Sequence, residues 1–185
     1  MSAKECNPVA KATEAPLGAS QTVMPSEQET RVMLGDLLSP KSVLAPLRVT
    51  TKKQVLQELA AKAAELTNLS ELDIMDTLVQ RERLGSTGVG NGIAIPHGKL
   101  STISKVVGVF AKMERPIDFE SLDGEPVDLI FLLLAPEDAG ADHLKALARV
   151  ARVLRDPQVA KKLRATQDAA AIHALLTQSM ASHAA

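Results

Sequence analysis

The chain has 185 residues, enough for one well-buried domain and too few for two of ordinary size. Its residues are 45% apolar and 23% charged, no apolar run approaches the ~20 residues of a membrane span, and the lone Cys6 excludes an internal disulfide or a multi-cysteine metal site. A formal net charge of −1, no Trp or Tyr, and only Phe110, Phe119 and Phe131 supply neither the basic field nor the aromatic platforms that nucleic acid binding uses.

Residues 1–32 combine Pro8, Pro16 and Pro25 with Ser, Thr, Gln, Glu and Ala and show no sustained apolar period, which reads as a disordered leader. Its start has one lysine and no apolar h-region, so no secretory signal is read and a cytoplasmic protein is expected. Patterned sequence begins at Met33. Residues 42–49 predict a first strand, with Pro46 arguing for an edge or a break. Thr51 with Gln54 forms a capping-box pattern ahead of Val55, Leu56, Leu59, Ala63 and Leu66 at helical spacing. Ser70 starts a second helix with Leu72, Met75, Leu78 and Val79 facing inward, ending near Leu84-Gly85 and leaving Arg81 in its last turn.

Residues 85–92 are too glycine-rich for a regular element and lead into the short strand Ile93-Ala94-Ile95, stopped by Pro96. Residues 106–113 and 127–135 predict two central strands, the second apolar enough to be buried on both faces. Asp142 starts a helix carrying Leu144, Leu147, Ala148, Ala151 and Leu154 on one stripe, with His143 in its first turn. Asp156-Pro157 and Asp168 start two shorter helices. Strands mixed with helices imply a three-layer α/β domain.

Four histidines are present. His173, in a terminal helix, and His183, in the tail, read as surface residues. His97 follows a strand between a proline and a glycine, so its imidazole should be reachable. His143 and Arg81 bring donors able to hold an oxyanion; Arg81 beside Glu82 equally fits a solvated helix charge, and His143 beside Asp142 a simple cap. An unperturbed imidazole has a pKa of about 6.5 and is largely neutral and nucleophilic near pH 7, so it needs no activating base. A transferred phosphoryl group spreads its charge over three oxygens, which Arg81, His143, the N–H groups of the glycine-rich loop and the hydroxyls of Ser86 and Thr87 are suited to position. The loop has no Walker or dinucleotide spacing, the histidines form no His-Glu-x-x-His, and Ser86 lacks a nucleophile elbow.

The run Arg81-Glu82-Arg83-Leu84-Gly85-Ser86-Thr87-Gly88-Val89-Gly90-Asn91-Gly92-Ile93-Ala94-Ile95-Pro96-His97-Gly98-Lys99 closely resembles enzyme IIA of the bacterial phosphoenolpyruvate phosphotransferase system. The nearest branch is the nitrogen-regulatory one, related to the fructose and mannitol IIA domains, and the likeness continues through Pro116-Ile117, Pro126-Val127-Asp128-Leu129 and His143-Leu144. The resemblance implies a type-2 EIIA domain over residues 33–180, with a central mixed sheet between helical layers and a tail at 181–185. It implies that His97 is the phosphorylated nucleophile, assisted by His143 and by Arg81, with Ser86, Thr87, Gly88, Gly90, Asn91 and Gly98 around the phosphate or the docked partner.

The implied donor is an HPr-like phosphocarrier, NPr in the nitrogen branch, and no dissociable cofactor or metal is implied. Phosphorylation state would then control protein targets in nitrogen metabolism and potassium homeostasis, such as potassium transport or sensor proteins. The alternative is a sugar-system IIA that passes its phosphate to a separate IIB protein.

Overall fold

The computed structural model describes residues 34–178. The leader at 1–32, Cys6, the tail at 181–185 and His183 lie outside them.

The fold is set by one strand. In β6 (Val127–Pro136), Ile130, Leu132 and Leu134 point to one side and Leu129, Phe131 and Leu133 to the other, the two-residue period of a strand, and each set founds its own hydrophobic core. Strand β5 (Val107–Ile117) runs antiparallel beside it, with Phe110 opposite Phe131, and β1 (Val43–Leu47) lies parallel to β5 at one edge. On the other side of β6 lie β3 (Ile93–Ala94) and β4 (His97–Leu100), both parallel to it, and β2 (Gly88–Gly90) closes the second edge antiparallel to β3. The sheet is mixed, and helices on both faces make three layers. Pro46 sits on an edge strand, where a missing N–H does no harm to a ladder.

Helices α1 (Lys52–Thr67) and α2 (Glu71–Arg83) cover one face through Val55, Leu56, Leu59, Ala60, Ala63, Ile74 and Leu78. Helices α3 (Ala141–Arg155), α4 (Pro157–Ala165) and α5 (Ala169–Thr177) cover the other. The starts of four follow from local chemistry: the side chains of Thr51, Ser70, Asp156 and Asp168 accept N–H groups of the first turn that have no intrahelical partner. At α1 the Gln54 side chain reaches back to the N–H and hydroxyl of Thr50, one residue before the cap, rather than to Thr51 itself.

Several expectations need correction. Leu72 is 75% exposed, and Ile74 takes the inward position with Leu78, because both stripes exist at helical spacing and only the sheet selects one. In α3 the buried stripe is His143, Ala146, Val150 and Leu154, whereas Leu144 is 66% exposed and Ala148 is also exposed. The N-cap of α3 is Gly140, and Asp142 instead pairs with Lys145 at 3.1 Å. The glycine-rich segment does contain a regular element: Gly88 and Gly90 build β2, where Ser121 and Asp123 approach so closely that a Cβ would collide. His97 follows the short strand β3 as expected, but it also begins a strand of its own, β4, since Leu133 N–H bonds Pro96 O at 3.0 Å and carries the pairing across the proline.

Candidate functional site

His97 is placed by the sheet and addressed by a helix. Its backbone is opposite Leu133 in the centre of β6, and the last turn of α2 crosses above it. The approach depends on the next residue: a Cβ at Gly98 would stand 2.5 Å from Thr77 Cγ2, so only glycine lets α2 lie this near β4. Arg81 then reaches the ring, its Nε–H donating to His97 Nε2 at 3.0 Å while Nη1 donates to Gly85 O at 3.0 Å. The other ring nitrogen, Nδ1, stands 2.8 Å from Ile95 O.

These two bonds assign the tautomer. A guanidinium has only donors, so Nε2 must accept; a carbonyl has only lone pairs, so Nδ1 must carry the proton. The imidazole is neutral, with its lone pair at Nε2. Half-burial of the ring pushes the His97 pKa below the ordinary 6.5, against a raising effect from the Ile95 carbonyl, and the Arg81 charge pushes the same way as burial.

His143 stands beside it, ring centroids 5.6 Å apart and planes tilted by 52°. It is 6% exposed, and its Nδ1 is buried without a hydrogen-bond partner among the described residues. Burial, then the neighbouring His97 and Lys99, lower its pKa, so it too is held neutral. Arg81, His97 and His143, far apart in sequence, are thus one cluster. Among the described residues no group of three or more His, Cys, Asp or Glu stands ready to hold a metal ion.

The loop residues are tied mainly to the scaffold. Ser86 Oγ donates to Phe119 O at 2.9 Å and accepts Gly88 N–H at 3.1 Å. Thr87, 3% exposed, gives both its N–H and its hydroxyl to Glu82. Asn91 N–H goes to Asp123 at 2.9 Å, and its carbonyl accepts Arg164 Nη2 at 2.7 Å. Gly88 and Gly90 admit the 121–123 loop, and Gly98 admits Thr77. Sequence reading missed Glu82, Lys52, Thr77 and the Ile95 carbonyl. Glu82 alone left a signal: a carboxylate in the last turn of a helix opposes the dipole and implies a compensating partner.

Fold and site together define an α/β protein built around a neutral, arginine-capped histidine. The chain belongs to the EIIA 2 family of the phosphoenolpyruvate-dependent sugar phosphotransferase system, whose model matches residues 36–179. It is therefore a phosphotransferase component with partners of the phosphocarrier type. It is 64% identical over 141 residues to the nitrogen regulatory protein of Bradyrhizobium diazoefficiens, covering 76% of this chain and 92% of that one. The nitrogen regulatory protein of Escherichia coli K12 is 36% identical over 155 residues, 83% of this chain and 95% of its own.

The solved structure of nitrogen regulatory protein IIA-Ntr from Neisseria meningitidis matches with a TM-score of 0.74 at 34% identity, covering 78% of this chain and 99% of that one. Mannitol IIA of Escherichia coli shares the fold, with a TM-score of 0.64 at 20% identity. Among the described residues no helix is long and apolar enough to cross a membrane.

Proposed function

We propose that this chain is a regulatory EIIA of the nitrogen branch that accepts a phosphoryl group on Nε2 of His97 and reports its phosphorylation state to protein targets. The observation that carries the acceptor role is the pair of bonds on the imidazole: Ile95 O holds the proton on Nδ1, and Arg81 keeps the lone pair at Nε2. The donor is an HPr-like phosphocarrier, NPr in the nitrogen branch. The Nε2 lone pair attacks phosphorus of the donor's phosphohistidine; the new N–P bond forms as the donor's N–P bond breaks, and the donor imidazole leaves with the electron pair.

Arg81 must release Nε2 for this attack, and the same donors then meet the phosphoryl oxygens through charge-assisted bonds. His143, its ring set against that of His97, is the further side chain placed to meet them. The exposed Asn91 and the half-buried Ser86 lie on the surface that meets the partner, and the buried Thr87, Gly88, Gly90 and Gly98 hold that surface in shape. Because the attacking ring is already neutral, no base is required.

The nitrogen assignment is supported by the relatives that carry that name at 64% and 36% identity. Targets are proteins of nitrogen and potassium control, such as potassium transport or sensor proteins, which would sense about two added negative charges. Donation to a separate sugar-specific IIB is the lesser reading, because the mannitol likeness extends to the fold alone. The domain is assigned to residues 33–180, with 1–32 as leader and 181–185 as tail. A lone cysteine fits a reducing compartment, the cytoplasm. Incubation with phosphoenolpyruvate, enzyme I and carrier should give one acid-labile phosphate that is lost in His97→Ala; full labelling of that variant would refute the acceptor role.

A further inference from the structure

The end of α2 carries two consecutive charged residues that reach opposite ends of one loop. Arg81 contacts His97 and Gly85. Glu82 turns inward, its side chain only 7% exposed, and a buried carboxylate at the negative end of a helix must be compensated. Its partners come from two elements. Thr87 N–H lies 2.8 Å from Oε1 and Thr87 Oγ1 lies 2.7 Å from Oε2. Lys52 Nζ, from the first turn of α1, stands 3.0 Å from Oε1. Lys52 also reaches Glu120 at 2.7 Å and lies 4.9 Å from the centre of the Phe119 ring. Burial by itself would lower the Lys52 pKa, but its bonds to Glu120 and Glu82 hold it above the usual value, so the ammonium stays charged.

From Thr87 the connections continue to His97. Ile95 N–H donates to Thr87 O at 2.9 Å, and Ile95 O holds Nδ1 of His97 at 2.8 Å. Two residues before Thr87, the carbonyl of Gly85 anchors the guanidinium of Arg81. The segment clamped by Glu82 therefore governs both ring nitrogens: Nδ1 through Ile95, and Nε2 through the seat of Arg81.

We infer that Glu82 is a positioning residue for His97, with Lys52 as its counter-ion. It touches neither the phosphoryl group nor the ring; it fixes the two carbonyls that orient the groups on that ring. The inference rests on the proposed role of His97 as acceptor.

The test uses the full chain as wild type, Glu82→Gln, Lys52→Met, the two combined, and Lys52→Arg. One readout is the ring ¹⁵N spectrum of His97, which reports the tautomer without any phosphorylation. The other is the initial rate of phosphoryl transfer from purified phosphorylated carrier at varied carrier concentration.

Glu82→Gln should add an Nε2–H population at His97 and lower kcat by roughly tenfold or more, with KM for the carrier little changed, as for loss of alignment rather than of docking. Lys52→Met should move both readouts in the same direction, the combined variant should be no worse than Glu82→Gln, and Lys52→Arg should restore wild-type values. If Glu82→Gln does not fold, Thr87→Val, which removes only the hydroxyl bond, should give a smaller change of the same kind.

A folded Glu82→Gln protein that melts earlier yet keeps the wild-type tautomer and kcat would overturn the inference, as would unchanged readouts in Thr87→Val and Lys52→Met. A wild-type protein that takes no phosphoryl group on His97 would instead refute the functional reading, while the tautomer comparison would still decide the role of Glu82.

Discussion

Arg81 occupies the lone pair of His97 Nε2 at 3.0 Å, so the side chain that stabilises the resting imidazole also blocks it. A donor that brings its own phosphoryl oxygens offers the guanidinium a better partner than a neutral nitrogen, and attack and release become one event. Arg81→Met should lower phosphoryl transfer about 10- to 100-fold, the loss of a charged hydrogen bond worth about 1.5–3 kcal/mol. Arg81→Lys should not restore it, because an ammonium lacks the planar fork that joins Gly85 O to the ring. Single-turnover rates with phosphorylated carrier decide both.

The pH response follows from the direction of the histidine shifts. Burial, with further effects, places the folded pKa of both His97 and His143 below 6.5. Below that value the unfolded chain binds more protons than the folded one, so their contribution to stability is complete above 6.5 and is lost as pH falls through 6.5 toward the depressed folded values. The neutral acceptor should persist into mildly acidic solution. Urea unfolding midpoints at a series of pH values, with the ring resonances followed in parallel, check the sign; greater stability on acidification through this range would contradict it.

Gly98→Ala tests whether helix approach sets the site. The new Cβ, 2.5 Å from Thr77 Cγ2, must push α2 off β4, at a cost of about 1–3 kcal/mol and with loss of transfer rate as Arg81 retreats. Thr77→Ser removes that methyl but keeps the hydroxyl bond to Asp73 O, seen at 2.8 Å, and should recover both quantities in the double variant. Additive losses in the cycle would show that the steric account is wrong.

Asp156→Ala should separate stability from activity. Its carboxylate accepts Gln158 N–H at 2.8 Å and Val159 N–H at 3.2 Å, and its removal should cost about 0.5–2 kcal/mol. These bonds stay within the first turn of α4, so kcat should not change. Thermal melting and a transfer assay on the same preparation suffice.

How far the molecule was legible varied with the range of the interaction. The caps at Ser70, Asp156 and Asp168 follow from a side chain and N–H groups two or three residues away, and each is where its residue type implies. β6 follows from the continuous apolar run at residues 129–135. On α2, Leu78 and Met75 face the core as their spacing implies, but Leu72 is exposed and Ile74 is buried, because stripes through either residue exist at helical spacing and only the sheet selects one. In α3 the buried stripe includes a histidine and an alanine, so a search for leucines finds Leu154 and the flanking Leu147 but also takes in the exposed Leu144. The hydroxyls of Ser86 and Thr87 read as possible phosphate ligands, yet each is bonded to Phe119 or Glu82, which no local pattern reveals.

The sequence by itself determined the helices α1 to α5, the strands β1, β3, β5 and β6, the α/β class, and the family through the run from Arg81 to Lys99 that contains His97, because periodicity, capping and motif spacing are local properties of a chain. Only the tertiary structure decided that Arg81 meets Nε2 and Ile95 O meets Nδ1, that His143 lies against the same ring, and that Glu82 and Lys52 hold the loop which makes this arrangement. Those contacts join residues on different elements, and their geometry depends on how closely α2 can lie on β4, a distance set by the absence of a side chain at Gly98.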